Sequence, residues 1–374
     1  MYCGTACVAA DEVTEVRTAL EDHEAAFFGI FDFYASLAGV YNGELNLNPY
    51  TQLCDDCMLA SKGSRFCRKA DLDRAFIAAD AASNKLTAES AAAQPSASRA
   101  PGGGKAAAGG GGSVASSPNR GKVLSIDEFM LCTVTISVMR YVLEGRLADV
   151  SDAVHALFSR DIVPHVSGAA LLDANRFRST HLYMEAVDTT LRRHEASLKV
   201  IFASIAEHRG PAKKLLCCDS WKAFLRAVEL IGSDLSERDA ALSFVWSRMA
   251  VSDPYSSRGA VKAMHLPFEG FLEALCRVAA CKALPNDQML ADSGHGNAAD
   301  FMHDLRKNRP AEYDAFVEGQ RTPWGEAPRQ PLDRAAHHLI ILIIGLIEAG
   351  TRGDDDFELT EKEVGFFFAK AGAA

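Results

Sequence analysis

The chain has 374 residues, of which 48% are apolar and 24% are charged, and its net charge at pH 7 is −10. This composition is typical of a globular protein large enough for two or three hydrophobic cores. The negative charge is spread along the sequence, so we expect neither nucleic acid nor an anionic membrane as the main partner. The amino terminus, MYCGTACVAADEVTEV, turns acidic before an apolar run of signal-peptide length develops. We therefore expect the chain to stay inside the cell.

The first predicted element is a long amphipathic helix over residues 12–38, and the sequence repeats it 171 residues later, the separation of His23 and His194. Val16 to Ser36 aligns without a gap on Val187 to Glu207, and each histidine is followed by glutamate and alanine. Because apolar residues keep falling on apolar residues beyond this helix, the sequence predicts two related modules. No nucleophile pattern accompanies either histidine, so we interpret both as hydrogen-bonded structural residues.

Module one, residues 1–145, is predicted to contain four helices. The long helix is followed by helices at 49–61, from Arg68 and from Ser125. Before the last of these, residues 88–121 are rich in glycine, alanine and serine and hold almost no side chain that a core would bury. We expect this insertion to be disordered.

Three cysteines of module one, Cys54, Cys57 and Cys67, have a spacing that resembles half of a zinc knuckle or a thiol redox pair. In the aligned copy, Leu225 and Val228 take the places of the first two, at helical positions that face a core. We therefore interpret these cysteines as small buried hydrophobic residues. A zinc or thiol-redox protein is the alternative.

Residues 146–176 are predicted to form a helical connector to module two, which covers residues 177–284 and repeats the four-helix outline. Its helices are predicted at 177–208, at 219–231, from Ser236 and from Pro267. Six aromatic residues are candidates for its core or for a groove that holds a partner: Trp221, Phe224, Phe244, Trp246, Phe268 and Phe271.

The carboxy-terminal part is predicted to be a polar helix-and-loop linker, 285–330, and a half-sized unit, 331–374, built as helix, acidic loop and helix. The apolar run from Leu339 to Ile347 is far shorter than the roughly 20 residues needed to cross a bilayer. It predicts a buried helix and no membrane span.

Three helix starts share one signature, in which leucine precedes serine or threonine and an acidic residue follows three positions later. They are Leu124-Ser125 with Glu128, Leu235-Ser236 with Asp239, and Leu359-Thr360 with Glu363. In each, the hydroxyl is placed to accept from the third helical amide while the carboxylate accepts from the capping residue's own amide. The signature therefore predicts a helix start at each site.

The alternation of helix, loop and helix is the layout of an EF-hand pair, so each loop is a candidate for calcium. A binding loop supplies oxygen ligands from positions 1, 3, 5, 9 and 12 and glycine at position 6. We place position 8 at the leucine of each loop's short strand: Leu45, Leu124, Leu216, Leu266 and Leu359. The Leu216 loop then has Arg209, Pro211 and Lys213 at ligand positions, which excludes it, and the Leu45 and Leu266 loops also fail. The Leu124 loop has Glu128 at position 12 but Ser117, Asn119 and Gly121 at positions 1, 3 and 5, which leaves only weak binding open.

The carboxy-terminal loop is the best calcium candidate. Asp354, Asp356 and Glu363 stand at positions 3, 5 and 12. Arg352 at position 1 and Phe357 in place of the glycine weigh against it. We therefore expect the protein to have no cofactor. A calcium sensor that acts through this loop is a further alternative for its function.

Two segments carry a resemblance to a known family. Residues 235–279, LSERDAALSFVWSRMAVSDPYSSRGAVKAMHLPFEGFLEALCRVA, resemble the second half of degenerate EF-hand-like modules in flagella-associated proteins of motile cilia. Residues 177–204, FRSTHLYMEAVDTTLRRHEASLKVIFAS, are similar to the long helix that leads into those modules. The resemblance implies a microtubule-associated structural component of the ciliary or flagellar axoneme, with other axonemal proteins or tubulin as partners. The alanine and glycine tracts at 91–112 suit a GC-rich algal genome.

Taken together, these patterns predict an all-α protein of two duplicated EF-hand-like four-helix modules linked by long helices, with a carboxy-terminal half-module. The sequence contains no phosphate-binding loop, no dinucleotide-binding fingerprint and no nucleophile elbow, so we expect a protein that is not an enzyme. We expect it to act as a cytoskeletal adaptor that grips amphipathic helices of partner proteins without calcium control.

Overall fold

The computed structural model describes residues 3–38, 41–92, 122–208, 214–253, 256–351 and 359–371. The fold of these residues is all-α, as predicted, and the four strands among them are two residues long. The chain divides into unit 1, Met1–Tyr34 with Gly43–Ser167, and unit 2, Ala35–Asn42 with Gly168–Ala374.

Unit 1 is built from helices joined by one small antiparallel ladder. Its elements are α1 (Cys3–Asp22), α2 (Glu24–Ala35), β1 (Leu45–Asn46), α3 (Leu47–Asp56), α4 (Lys69–Ala92), β2 (Val123–Leu124), α5 (Ile126–Ser137) and α6 (Val150–Ala156). Helix α4 packs against α3 and α5, and α6 packs against α1 and α5. The sequence had placed α6 in a connector, but its contacts with α1 and α5 make it part of the packing of unit 1.

Unit 2 has more helices. Its elements are α7 (Ala174–Phe177), α8 (Glu185–Arg193), α9 (Glu195–Ile205), β3 (Glu207–His208), β4 (Lys214–Leu215), α10 (Cys218–Ala227), α11 (Glu237–Trp246), α12 (Ser257–Ala263), α13 (Phe268–Cys281), α14 (Asp287–Ser293), α15 (Ala298–Asn308), α16 (Pro310–Gln320), α17 (Leu332–Thr351) and α18 (Glu361–Ala371). Helix α17 packs against α8, α13 and α15, so the first helix of the predicted half-unit lies in the core of unit 2.

The core of unit 2 follows from helical spacing of apolar residues. On α10, Trp221, Phe224 and Leu225 lie three and four positions apart and are all buried. The predicted buried helix is confirmed by α17, in which the run from Leu339 to Ile344 is buried. Burying each large side chain of this kind contributes about 1.5–3 kcal/mol relative to leaving it exposed. None of the described helices is long and apolar enough to cross a membrane.

The strand leucines predicted from the loops pair in both units. Leu45 lies opposite Leu124 in the β1–β2 ladder of unit 1. In unit 2, Leu216 and Leu266 form an isolated antiparallel bridge with two backbone hydrogen bonds of 2.9 Å. Leu359 differs, because its N–H donates to the hydroxyl of Ser197 at 3.2 Å.

The long first helix of each module is interrupted, so the prediction of continuous helices over 12–38 and 177–208 is wrong. Helix α1 ends at Asp22 and α2 begins at Glu24, and α8 ends at Arg193 and α9 begins at Glu195. At each break a histidine, His23 or His194, donates its backbone N–H to the carbonyl three residues earlier. In a regular α-helix the acceptor would be the carbonyl four residues earlier.

The helices predicted at 49–61 and 219–231 correspond to α3 and α10, and both end earlier than predicted. Met58 follows α3 and Glu229 follows α10, and both residues have a φ of 49°, in the left-handed region. The next residue's N–H then bonds back into the last helical turn, from Leu59 to Cys54 and from Leu230 to Leu225, at 2.9 Å each. These turns end the helices before 61 and 231, in the manner of a left-handed helix cap.

The three predicted helix starts are confirmed. Ser125 and Glu128 form a complete capping box at α5, and Ser236 and Asp239 form one at α11. At α18, the Thr360 N–H donates to Glu363 and the Glu363 N–H donates to Thr360 Oγ1. Of the predicted disordered insertion, residues 88–92 form the end of α4 and residues 93–121 lie outside the described residues.

Candidate functional site

The candidate site is the groove of unit 2 that holds α18. Helix α18 packs against α9, α10 and α17. Its buried residues are Val364 and Phe368, preceded by the buried Leu359. Phe366, on the opposite face, is 58% exposed. Helix α18 is therefore an amphipathic helix whose apolar face lies in a groove formed by three other helices.

Three contacts fix α18 in this groove, one on each surrounding helix. On α10, the ring of Phe224 meets the ring of Phe368 edge to face, with centroids 5.9 Å apart. On α9, the buried hydroxyl of Ser197 accepts the Leu359 N–H at 3.2 Å. This bond satisfies a backbone donor next to the helix start.

The third contact is a close approach between Gly350 on α17 and the ring of Phe367 on α18. A Cβ atom added at Gly350 would lie 2.7 Å from the ring of Phe367. Such a distance is far inside van der Waals contact, so a larger residue would require the half-exposed ring of Phe367 to shift. The groove thus presents the ring of Phe224, the hydroxyl of Ser197 and the backbone of Gly350 to α18.

Five of the six predicted aromatic residues are fully buried core residues: Trp221, Phe224, Phe244, Trp246 and Phe271. Phe268 is half-buried and packs on Phe202, with ring centroids 5.5 Å apart. Trp221 also donates its indole N–H to the Ala240 carbonyl at 2.9 Å. Of the six, Phe224 combines a core position with a ring contact to α18.

Of the three predicted calcium ligands, the structure describes only Glu363. Asp354 and Asp356 lie outside the described residues, so the calcium prediction stays a prediction. Glu363 is described, and its carboxylate accepts the Thr360 N–H at 2.9 Å and the Thr360 hydroxyl at 2.6 Å. These hydrogen bonds hold the pKa of Glu363 below its usual value. Glu363 thus serves as a helix cap in this conformation.

The three cysteines of module one are buried free thiols. Burial raises the pKa of Cys57 to about 12, and it also raises those of Cys54 and Cys67. A reactive or metal-binding cysteine needs its thiolate, which this environment disfavours. Within the part of the chain that the structure describes, no three His, Cys, Asp or Glu side chains are grouped as a metal site would require.

The two repeat-related histidines are hydrogen-bonded, as predicted, and each pairs with a second histidine. His23 Nε2 lies 3.1 Å from His155 Nδ1 on α6. His194 Nε2 lies 3.0 Å from His337 Nδ1 on α17. Burial, followed by the partner imidazole, lowers the pKa of His194 to about 4 and also lowers that of His23. Both imidazoles are therefore neutral at pH 7 and fasten a helix break to a neighbouring helix.

Sequence reasoning missed the residues that recognise α18 and the partners of the histidines. Ser197 and Gly350 have no local pattern that marks them as contacts. One signal was present for α18, because Val364 and Phe368 are apolar residues four positions apart behind a capping box.

Comparison of the chain with known proteins finds no matching family model, no matching curated protein and no matching solved structure.

Proposed function

We propose that this protein is a structural adaptor whose two units are diverged EF-hand-like modules that hold amphipathic helices. The observation that supports this most directly is α18 in the groove of unit 2, bound through Phe368, Leu359 and Gly350. A module that holds a helix of its own chain has the aromatic floor and helix-sized width that a partner's helix needs.

The paired features of the two units support the modular part of the proposal. The helix break at His23 recurs at His194, and the left-handed turn at Met58 recurs at Glu229, in both cases 171 residues later. The ring pair of Phe31 and Phe129 has its counterpart in Phe202 and Phe271, with centroids at 5.6 and 5.5 Å. Packing residues are repeated, whereas charged loop residues are not, which favours a holding role over an ion switch.

The cellular part of the proposal rests on the sequence resemblance alone. We propose that the partners are axonemal proteins or tubulin and that the protein belongs to the ciliary or flagellar cytoskeleton. After detergent and high-salt extraction of motile cilia, the protein should stay with the axonemal fraction. A freely soluble pool in the extract would contradict this location.

A peptide experiment tests the groove itself. A chain that ends at Thr351 should bind a fluorescent peptide of residues 359–371, and full-length protein should bind it at least ten times more weakly because α18 already fills the groove. In the peptide, Phe368→Ala should weaken binding more than tenfold, whereas Phe366→Ala, a change on the exposed face, should have less than a twofold effect.

The circular dichroism spectrum of the shortened chain must show that it remains helical, because loss of the fold would also abolish binding. With the fold intact, equal binding of both variant peptides, or no binding of the native peptide, would contradict a helix-holding groove.

A further inference from the structure

We infer that unit 1 carries a second helix-binding surface, an outer groove along α1, α2 and α5, whose partner is a basic amphipathic helix. This inference deepens the proposed function by assigning it a second site and a partner chemistry. The outer groove is lined by Val13, Val16, Leu20, Phe27, Phe28 and Met130 and has a volume of about 490 Å³. It is separate from the α18 groove of unit 2.

The apolar lining of the outer groove reaches solvent. Val13 is 63% exposed and Phe28 is 44% exposed, while Phe27 beneath them is fully buried. Large apolar side chains exposed side by side on a rigid surface are typical of a binding site. The apolar lining runs from Val13 on α1 past the helix break at His23 to Phe28 on α2, with Met130 of α5 beside it, so a partner helix would contact all three helices.

The rim of this groove is acidic. Residues 11–24 contain six carboxylates and one cation: Asp11, Glu12, Glu15, Glu21, Asp22 and Glu24 against Arg17. Glu21 and Glu24 line the groove directly, together with the single cation Arg17, so the carboxylates outnumber the cation in the lining. Neither glutamate has an ion-pair partner within the described part of the chain. Their charge is therefore available to attract a cationic partner and to orient it.

The corresponding surface of unit 2 has lost these properties. At the position of Phe28 it has Lys199, which pairs with Glu195 at 2.7 Å. At the position of Glu21 it has Arg192, which pairs with Asp188 at 2.7 Å. Helical i,i+4 pairs thus neutralise in unit 2 the surface that is acidic and apolar in unit 1. The contrast favours lysine and arginine on the flanks of the partner, with leucine-type residues on its buried face.

The test uses full-length protein and a labelled 18-residue helical peptide of leucine and lysine, with leucines at i, i+3, i+4 and i+7. Fluorescence anisotropy should give micromolar binding that weakens at least tenfold between 50 and 500 mM salt. A peptide of the same composition in scrambled order, and one with glutamate for lysine, should each bind at least ten times more weakly.

Two surface variants locate the binding. Phe28→Lys introduces the residue that unit 2 has at this position and should weaken peptide binding at least tenfold. Phe366→Lys, the same change at an exposed phenylalanine of unit 2, should change it less than twofold. Glu21→Arg should also weaken binding and flatten its salt dependence.

Several results would overturn the inference. Equal loss in Phe28→Lys and Phe366→Lys, or equal binding of the scrambled peptide, would mean that the peptide binds nonspecifically. Self-association of the native protein that Phe28→Lys abolishes would make a second copy the occupant. Tighter peptide binding after deletion of residues 93–121 would make that segment the occupant. None of these results affects the α18 peptide test, which probes the groove of unit 2.

Discussion

The two units share several packing features and differ in the charge and polarity of their surfaces. Each has a helix break fastened by a histidine pair, a left-handed turn after its second helix and a leucine pair joining its loops. Unit 2 adds α18 in its groove and balances the charges of α8 and α9, while the matching face of unit 1 is acidic and apolar. The packing features are therefore common to both units, whereas the charge and polarity of their surfaces are not.

The largest effect is expected in the aromatic core, where the two units have Trp221 and Tyr50 at matching positions. Both are buried and donate to a backbone carbonyl, Trp221 to Ala240 and Tyr50 to Leu72, at 2.9 Å each. Trp221→Ala should lower the free energy of unfolding of unit 2 by about 4 kcal/mol because it leaves a large cavity. Tyr50→Phe should cost unit 1 only about 1 kcal/mol, the value of one hydrogen bond.

Denaturant unfolding followed by circular dichroism measures both changes. A loss below about 1 kcal/mol for Trp221→Ala would mean that this residue does not anchor the core, and the correspondence of the units would fail at its centre.

Buried ion pairs are the next comparison. In unit 2, Lys282 and Asp234 are 2.7 Å apart, with side chains 4% and 2% exposed. In unit 1, Arg140 and Asp161 are also 2.7 Å apart, but their side chains are 15% and 12% exposed. Asp234→Asn leaves a buried ammonium without its counter-charge and should cost about 3 kcal/mol. Asp161→Asn should cost less, about 2 kcal/mol, because this pair is partly exposed and the Asn oxygen can still accept from Arg140 and Tyr141.

Thermal and denaturant unfolding of both variants check this order. Equal losses would show that burial does not distinguish the two pairs.

Smaller and local effects are expected for α18, which packs against α9, α10 and α17 in unit 2. Phe368→Ala should cost about 2 kcal/mol, less than a core truncation, because α18 detaches before the rest of the unit unfolds. Hydrogen exchange should then accelerate in α18 and in the facing parts of α9 and α10. Phe366→Ala is the matched control and should change neither exchange nor stability by more than about 0.5 kcal/mol. Slow exchange of α18 in Phe368→Ala would contradict the docking described above.

The smallest effect is expected in the pH dependence of the two histidine pairs. Burial, the His337 imidazole and Arg193 together lower the pKa of His194 to about 4 from its ordinary 6.5, whereas Asp22 partly offsets the lowering at His23. Between pH 6.5 and 4 the unfolded chain binds a proton at His194 that the folded chain does not, so stability falls as pH falls through this window. Above pH 6.5 this contribution to stability is fully present.

Imidazole NMR signals should titrate at lower pH for His194 than for His23. His194→Asn should remove part of the acid-dependent loss of stability, and Asp22→Asn should lower the pKa of His23. An unchanged pH profile in His194→Asn would mean that the pair does not couple to folding.

Local sequence signals predicted much of this fold. Capping residues such as Ser125 and Glu128 marked helix starts because a cap needs only residues three positions apart. Alignment of the repeat located the strand leucines, which pair in both units. The helix breaks and helix ends were missed, because His23 and Met58 are compatible with a continuing helix until a distant partner or a left-handed turn decides otherwise.

The site was less predictable than the fold. The sequence identified the six aromatic residues. Which of them face the groove depends on where α18 packs, and the sequence does not specify that position. Phe224 and Phe244 have similar neighbours in sequence, yet only Phe224 has a ring contact with Phe368 in the described structure.

The sequence by itself therefore determined the helical class, the helix starts and the buried apolar run of α17, because each depends on spacing within a few turns. It also located the strand leucines, because the repeat aligns them. The tertiary structure decided which helix lies in which groove and which histidines pair. These depend on contacts between residues more than a hundred positions apart, such as Ser197 with Leu359 and His194 with His337, which no local spacing encodes.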